Sequence, residues 1–400
     1  MSEKVKICFI ADKHSLFDDR IYWKMSVPLN KLGYEIHYLL IGDRNEKGVT
    51  EEGIQFEILK VKTFSNNRYL NFVLKRLNPD NNYAKLFKKA EFIRADIYHF
   101  HDLWINRIGG KLKSLEHKPA VFYDAREPYA EDYVSYVKTW PGFTFLIHIF
   151  AFFVDRWEKR KSRQYDLVIA NEETVRERFA RKIGEQKSVV LYNYTDLLDD
   201  YKAVPYKAKK YDLIYCGGIS ELRGAIRILE ALVIVRKKIP AVQLVFLGKY
   251  YPEKFKMELE RFIAKHDLSE NVHLFDAVSY QKVAEFYNAS KIGLVLLQPV
   301  KTFEISMPIK IFEYMSFGLP IIASNFGHMK HYVQNDSCGT LVDPADSNEI
   351  AAAMTELLSN RALYKKYSEN GRRSAIQKYR WEFEFEKLLK YYKKALNGRK

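Results

Sequence analysis

Short apolar runs of strand length alternate along this chain with longer segments in which apolar residues recur every three or four positions. The first set of runs lies at residues 5–11, 35–41, 54–59, 96–100, 120–123, 166–170 and 188–191. A helical stretch containing residues 21–32, closed by Gly33, separates the first two. Strands joined through helices predict an α/β fold with a parallel, doubly wound sheet. The polar segment 193–210, broken by Pro205, reads as a linker. A second alternation follows, with runs at 213–216, 242–247, 272–275, 292–297 and 319–323. From Ser347 onward the pattern is helical, and it ends in a basic stretch, 380–396, that mixes charged and aromatic residues and suits a helix packed across a surface. Two doubly wound domains of similar size are the economical reading. Ligands are then expected outside the carboxyl ends of the strands, in a cleft between the domains.

Two segments in the second half carry candidate chemistry. In SMPIKIFEYMSFGLPII, starting at Ser306, the serine suits an N-cap, Pro308 a first helical turn, and Gly318 with Pro320 a stop, which predicts a helix over 308–317. Lys310 and Glu313 then sit one turn apart near its start. They read equally as a surface ion pair or as a ligand site, since a helix N-terminus favours phosphate and a carboxylate accepts from sugar hydroxyls. In YCGGISELRGAIRILEAL, starting at Tyr215, a strand passes through Gly217-Gly218 and Arg223-Gly224 into a helix with Ile226, Leu229 and Leu232 or Val233 inward. Paired glycines let a backbone approach a ligand closely, and Arg223 stands where a diphosphate would sit. Neither a Gly-x-Gly-x-x-Gly nor a Walker lysine pattern is present in this segment. Two phosphate-compatible elements in one domain favour a nucleotide-diphosphate ligand.

Composition narrows the partners. The 400 residues, 47% hydrophobic, are enough for two or three domains. Cys8, Cys216 and Cys338 are too few and too dispersed for a disulfide framework or a zinc site, and read as buried thiols of a cytosolic protein. The opening apolar run is too short for a secretory signal, and no run approaches the roughly 20 residues of a spanning helix. The net charge of +15 points to an anionic partner: nucleic acid, an acidic membrane surface or a phosphorylated substrate. Residues 143–154, FTFLIHIFAFFV, precede Arg156, Trp157, Lys159, Arg160, Lys161 and Arg163. That order suits an interfacial membrane helix, or else a core helix with a solvated end. A second aromatic and basic segment sets Arg68, Lys75, Arg76, Lys85, Lys88 and Lys89 around YLNFVL. No two aspartates are separated by a single residue and no His-Glu-x-x-His occurs, so no metal is expected and a departing diphosphate would be met by cationic side chains and helix termini.

Taken in order, DIYHFHDLW, YCGGISELRG and SMPIKIFEYMSFGLPIIAS resemble the retaining glycosyltransferases of family 4. LFDDRIYWKMSVPLNKLGYEIHYL and FYDAREPY add a likeness to bacterial surface-polysaccharide members. The resemblance implies the GT-B fold: an acceptor domain over 1–195, a nucleotide-sugar domain over 196–378, and a last helix, 379–400, that crosses back onto the first domain. It implies a retaining transfer from a nucleotide-diphosphate sugar, UDP or GDP type, to a glycan or lipid-linked glycan, with no cofactor. The donor side would comprise Gly217, Gly218, Arg223, Ser306, Met307, Lys310 and Glu313, with Glu313 on the ribose hydroxyls and Arg223 on the diphosphate. Gly218 stands where many members have a second arginine. Another family glutamate falls at Ile305, beside Glu304, and the family histidine near the donor sugar is replaced by Arg126. The acceptor side would comprise His101, Asp102, Arg126 and Glu127. His101 is expected at the carboxyl end of a strand facing the cleft, Asp102 beside it or as a helix cap, and Arg126 on an acidic substrate group or paired with Glu127. Arg223, Lys310, His101 and Arg126 are the expected catalytic groups, and base recognition is expected from the loop after Phe275. The location implied is cytoplasmic, peripheral on the inner face of the membrane. The rival readings are a nucleotide-sugar epimerase of the same architecture and a basic nucleic-acid-binding protein; no RNA motif is present, so no nucleic acid partner is expected.

Overall fold

The computed structural model describes residues 4–12, 14–60, 82–136 and 144–398. Two compact units result, one of residues 1–193 with 383–400, the other of residues 194–382. Of the second aromatic and basic segment, Arg68, Lys75 and Arg76 lie outside the described residues, whereas Lys89 pairs with Glu57 at 2.7 Å.

The first unit contains strands β1 (Lys6–Asp12), β2 (Glu35–Gly42), β3 (Glu46–Val49), β4 (Gln55–Lys60), β5 (Ile97–His101), β6 (Ala120–Ala125), β7 (Leu167–Ala170) and β8 (Ser188–Val190). They form one sheet in the order β3-β4-β2-β1-β5-β6-β7-β8, parallel except for β3 against β4. The central strands β1, β5 and β6 are buried almost throughout, which is why they read as continuous apolar runs. β3 went unread because all four of its residues are exposed and it carries no apolar alternation. The expected first helix is a wide π-type turn over Asp19–Ser26 continued by Val27–Lys31. Asp18 starts it by accepting hydrogen bonds from the amides of Arg20 and Ile21. Helix α1 (Thr144–Ser162) lays Ile147, Ala151, Val154 and Glu158 against the unit, a spacing of three and four residues that keeps one face inward.

The second unit contains β9 (Tyr211–Cys216), β10 (Leu244–Leu247), β11 (Val272–Phe275), β12 (Ser290–Val295), β13 (Ile321–Ser324) and β14 (Gly339–Val342). All pair in parallel, in the order β11-β10-β9-β12-β13-β14. The order reverses between β9 and β12, the place where open α/β sheets leave a crevice at their carboxyl ends. Helix α2 (Ala225–Arg236) follows β9 and buries Ile228, Leu229, Leu232 and Val235. Helix α3 (Lys310–Ser316) corrects the expected span 308–317. Ser306 does not cap it. That residue ends a separate short helix, Lys301–Ile305, and has extended backbone (φ −96°, ψ 145°). The cause is Pro308, which disfavours helical geometry in the residue before it and keeps the chain extended up to α3. Helix α4 (Trp381–Asn397) returns to the first unit, where Leu388 and Tyr392 are fully buried and the Tyr392 ring lies 5.1 Å from Phe122.

The tightest backbone contact of the second unit is between the turns after β9 and β10. Gly217 has φ +117° and donates to Leu247, while Gly248 has φ +150°. A Cβ on Gly248 would stand 1.8 Å from the carbonyl oxygen of Gly217. Gly248→Ala is therefore expected to cost about 3 kcal/mol through backbone strain and overlap. A thermal melt of the variant indistinguishable from wild type would contradict this reading of the two turns.

Candidate functional site

In the second unit the residues singled out in the sequence converge on the turn after β9. Lys310 is on the inward side of α3, and its Nζ lies 3.4 Å from where a Cβ of Gly217 would be and 3.8 Å from the centroid of the Tyr215 ring. The residue is 8% exposed, and Nζ has no hydrogen-bond partner among the described residues. A surface ion pair with Glu313 is therefore not what the segment holds. Instead the Glu313 carboxylate accepts from the Tyr287 hydroxyl at 2.6 Å. Burial, with the neighbouring Cys216 and Glu313, pushes the Tyr287 hydroxyl well above its ordinary pKa and keeps it a donor.

Arg223 stands at the mouth of α2, following Ser220 and preceding Gly224, whose left-handed backbone (φ +81°) starts the helix. Its guanidinium lies 5.4 Å from the Phe303 ring. A Cβ on Gly218 would meet Arg223 Nε at 3.5 Å and the Tyr251 ring at 3.4 Å, so the absent side chain leaves room between a cation and an exposed aromatic ring. Met307 is buried and Ser306 half-buried on the extended stretch before α3. Glu304 is exposed and faces Lys301 at 3.6 Å. Tyr251 and Tyr287 were missed in the sequence because neither belongs to a motif; the short spacing of Tyr251 after Gly248 was the available signal.

In the first unit a polar network occupies the carboxyl ends of β1, β5 and β6. Asp102 has φ 75°, a backbone conformation that non-glycine residues rarely hold and that costs about 1–3 kcal/mol. Its carboxylate makes no helix cap; it accepts from the Asp12 amide (3.0 Å), His14 Nε2 (3.0 Å) and the Tyr129 hydroxyl (3.3 Å). His14 Nδ1 reaches Asp18 at 2.9 Å, so both ring nitrogens face carboxylates. Burial opposes charge on His14, but the bonds to Asp102 and Asp18 outweigh it and raise its pKa to about 9. Arg126 pairs with Asp18 (3.3 Å) and Asp19 (4.0 Å). Glu127, its sequence neighbour, is exposed and takes no part in that pairing. His14 and Asp18 were missed in the sequence, although their i,i+4 spacing in DKHSLFDDR was the signal.

His101 requires a correction. It ends β5 but is fully buried and does not line an open surface. Its ring stacks on His99 at 4.7 Å, and burial holds His101 well below its ordinary pKa and His99 down to about 4. His99, His101 and Asp124 are the one group among the described residues whose ligand atoms could close on a metal ion. Asp124 already pairs with the equally buried Arg20 at 3.0 Å, so its charge is balanced without a metal ion, and His99 bonds the Tyr392 hydroxyl at 2.6 Å. The cluster reads as the interior support of the strand end that carries Asp102. A cavity of about 610 Å³ lined by Lys113, His117, Asp166 and Lys394 lies at the opposite, amino ends of β6 and β7 and contains none of these residues.

Comparison with known proteins follows the same division. Residues 199–374 match the family described as Glycosyl transferases group 1. The chain is 24% identical over 242 residues to MMP alpha-(1->4)-mannosyltransferase of Mycolicibacterium hassiacum, covering 56% of this chain and 57% of that protein. It is 26% identical over 165 residues to lipopolysaccharide glucosyltransferase WaaG of Escherichia coli, covering 41% of each. The matches span about half the length of these curated relatives. The solved structure of Anabaena HepE in complex with UDP has a TM-score of 0.71 at 15% identity, over 98% of this chain and 100% of that one. The fold is therefore GT-B.

The network around His14 has a pH signature. A histidine raised from its ordinary 6.5 to about 9 contributes stability that is complete below 6.5 and is lost as pH rises through 9. Wild type should therefore exceed His14→Gln in melting temperature at pH 6, with the gap closing above pH 9. A gap that does not change across this range would show that His14 is not held as an imidazolium.

Proposed function

We propose that this chain, whose residues 199–374 match the group 1 glycosyl transferases, moves a glycosyl group from a nucleotide-diphosphate sugar to a hydroxyl of a glycan or lipid-linked glycan. The observation that carries the reading is Lys310: an amino group kept buried beside Gly217, with no oxygen to donate to among the described residues, is a site completed by an anionic ligand. Lys310 then serves as the second cation of a diphosphate pocket that lacks a side chain at Gly218, with Arg223 as the first. Glu313, oriented by Tyr287, accepts from the ribose hydroxyls. HepE, solved with UDP and with UDP-glucose, makes UDP the first nucleotide to test.

The transfer proceeds with retention and without a metal ion. The acceptor oxygen bonds to the anomeric carbon on the face from which the diphosphate departs. The bond from that carbon to the phosphate oxygen breaks, and the departing oxygen takes the acceptor's proton. No side-chain base is needed, so the rate rests on orientation and on the positive charge that meets the leaving diphosphate. Asp102 and Arg126 stand on the acceptor side, fixed by His14, Asp18 and Tyr129. The lipopolysaccharide substrate named for WaaG and the +15 charge support a role in surface-polysaccharide biosynthesis at the inner face of the membrane.

Calorimetry with UDP, GDP and ADP tests the donor site. One nucleotide, UDP first, should bind selectively, and both Glu313→Ala and Lys310→Met should weaken it roughly 10- to 100-fold. Lys310→Met should do so without lowering the melting temperature of the free protein, since a buried unpaired amine is replaced by an apolar side chain of similar length. Wild-type affinity in Lys310→Met would remove the lysine from the diphosphate pocket. Transfer to acceptor should survive a chelator, and the anomeric proton of the product should report the donor's configuration. Loss of activity with chelator, or an inverted product, would refute the mechanism.

A further inference from the structure

We infer that the solvent face of α1 is a lipid-docking surface that seats the first unit on an anionic bilayer. Five of the fifteen exposed large apolar side chains among the described residues fall within nine positions of this one helix: Phe145, Leu146, Ile149, Phe152 and Phe153, the last two 62% and 61% exposed. At about 100° per residue they form a single stripe opposite the buried stripe of Ile147, Ala151, Val154 and Glu158. Further along the helix the same outer stripe becomes Arg156 and Arg160, followed just past its end by Arg163, all exposed and without an ion pair among the described residues.

The acidic residues of α1 are turned the other way. Asp155 is taken by Arg178 at 2.5 Å and Lys159 at 2.6 Å, and Glu158 accepts from the buried Tyr123 hydroxyl. The outer stripe therefore holds apolar side chains and arginines and no acidic residue, with the exposed Thr144 and His148 to one side of it. An apolar segment followed on one stripe by arginines matches the order of layers in a bilayer surface, acyl boundary and then phosphate. No described helix is long and apolar enough to cross a membrane, so the helix lies in the surface. Docking would bring the acceptor-side unit to the layer in which a lipid-linked acceptor resides. In that respect the inference deepens the proposed function and rests on it, although the geometry of α1 does not.

Flotation of the full chain with vesicles of phosphatidylcholine, with and without phosphatidylglycerol, tests the surface. Binding is expected to the phosphatidylglycerol vesicles. Phe152→Ser with Phe153→Ser, and separately Arg156→Glu with Arg160→Glu, should each reduce it roughly tenfold or more. All four side chains are exposed, so melting temperature and UDP binding should stay at wild-type values. Absence of wild-type binding, or binding that stays at the wild-type level in both variants, would overturn the proposal. So would a concentration-dependent dimer that the phenylalanine variant dissolves and that floats with neither vesicle. Failure to bind UDP would instead strike the donor-site reading, and the flotation result would stand apart from it.

Discussion

An amino group placed in an interior without an acceptor lowers stability, and the second unit is arranged around one. Lys310 occupies the inward side of a seven-residue helix whose other inward positions, Ile311, Phe312 and Met315, fill the core. Its Nζ lies over the face of Tyr215, whose hydroxyl in turn donates to the carbonyl of Gly218. Gly217, Gly218 and Gly248 make the same point from the other side. Their missing side chains allow the turns after β9 and β10 to meet, and at Gly217 they keep a Cβ from standing 3.4 Å from the amine. The lysine and the glycines are thus one device. The glycines without the cation would be an ordinary crossing of two turns, and the cation without the glycines would be shielded from any anion.

The first unit solves the opposite problem. Its charges near the strand ends are matched among themselves: Asp102 and Asp18 hold His14, Asp18 and Asp19 hold Arg126, and Asp124 holds Arg20 in full burial. The strained backbone at Asp102 is maintained by three separate hydrogen bonds to its carboxylate and so belongs to this network. Arg126 stands 3.2 Å from His14, whose pKa is raised, an arrangement tolerated because Asp18 lies against both. One unit therefore presents a ready-made polar surface, and the other presents a charge in need of a counterpart.

Much of this was legible in the sequence because a parallel sheet buried on both faces writes itself as uninterrupted apolar runs. The runs at 5–11, 35–41 and 272–275 fall on β1, β2 and β11 to within a residue. The edge strands β3 and β14 left no such trace, the first being exposed throughout and the second only half-buried. One local signal erred because another prevailed: Ser306 has the chemistry of a cap but stands two residues before a proline. Partners were the least legible. His14 meets Asp102 across 88 positions and Arg126 meets Asp18 across 108, distances over which no periodicity speaks. For α1 the composition could not separate a core helix from a surface one, since both are apolar. The phase of the buried stripe, set by its neighbours in the fold, decides between them.

The course of the chain has a consequence for the order in which the molecule is made. Residues 194–382 complete the second unit, but the first still lacks α4, whose Tyr392 hydroxyl meets His99 and whose ring covers Phe122. During synthesis the half that begins first is closed last. Until the final helix leaves the ribosome, the underside of β5 and β6 stays open to solvent and to whatever in the cell attends nascent chains.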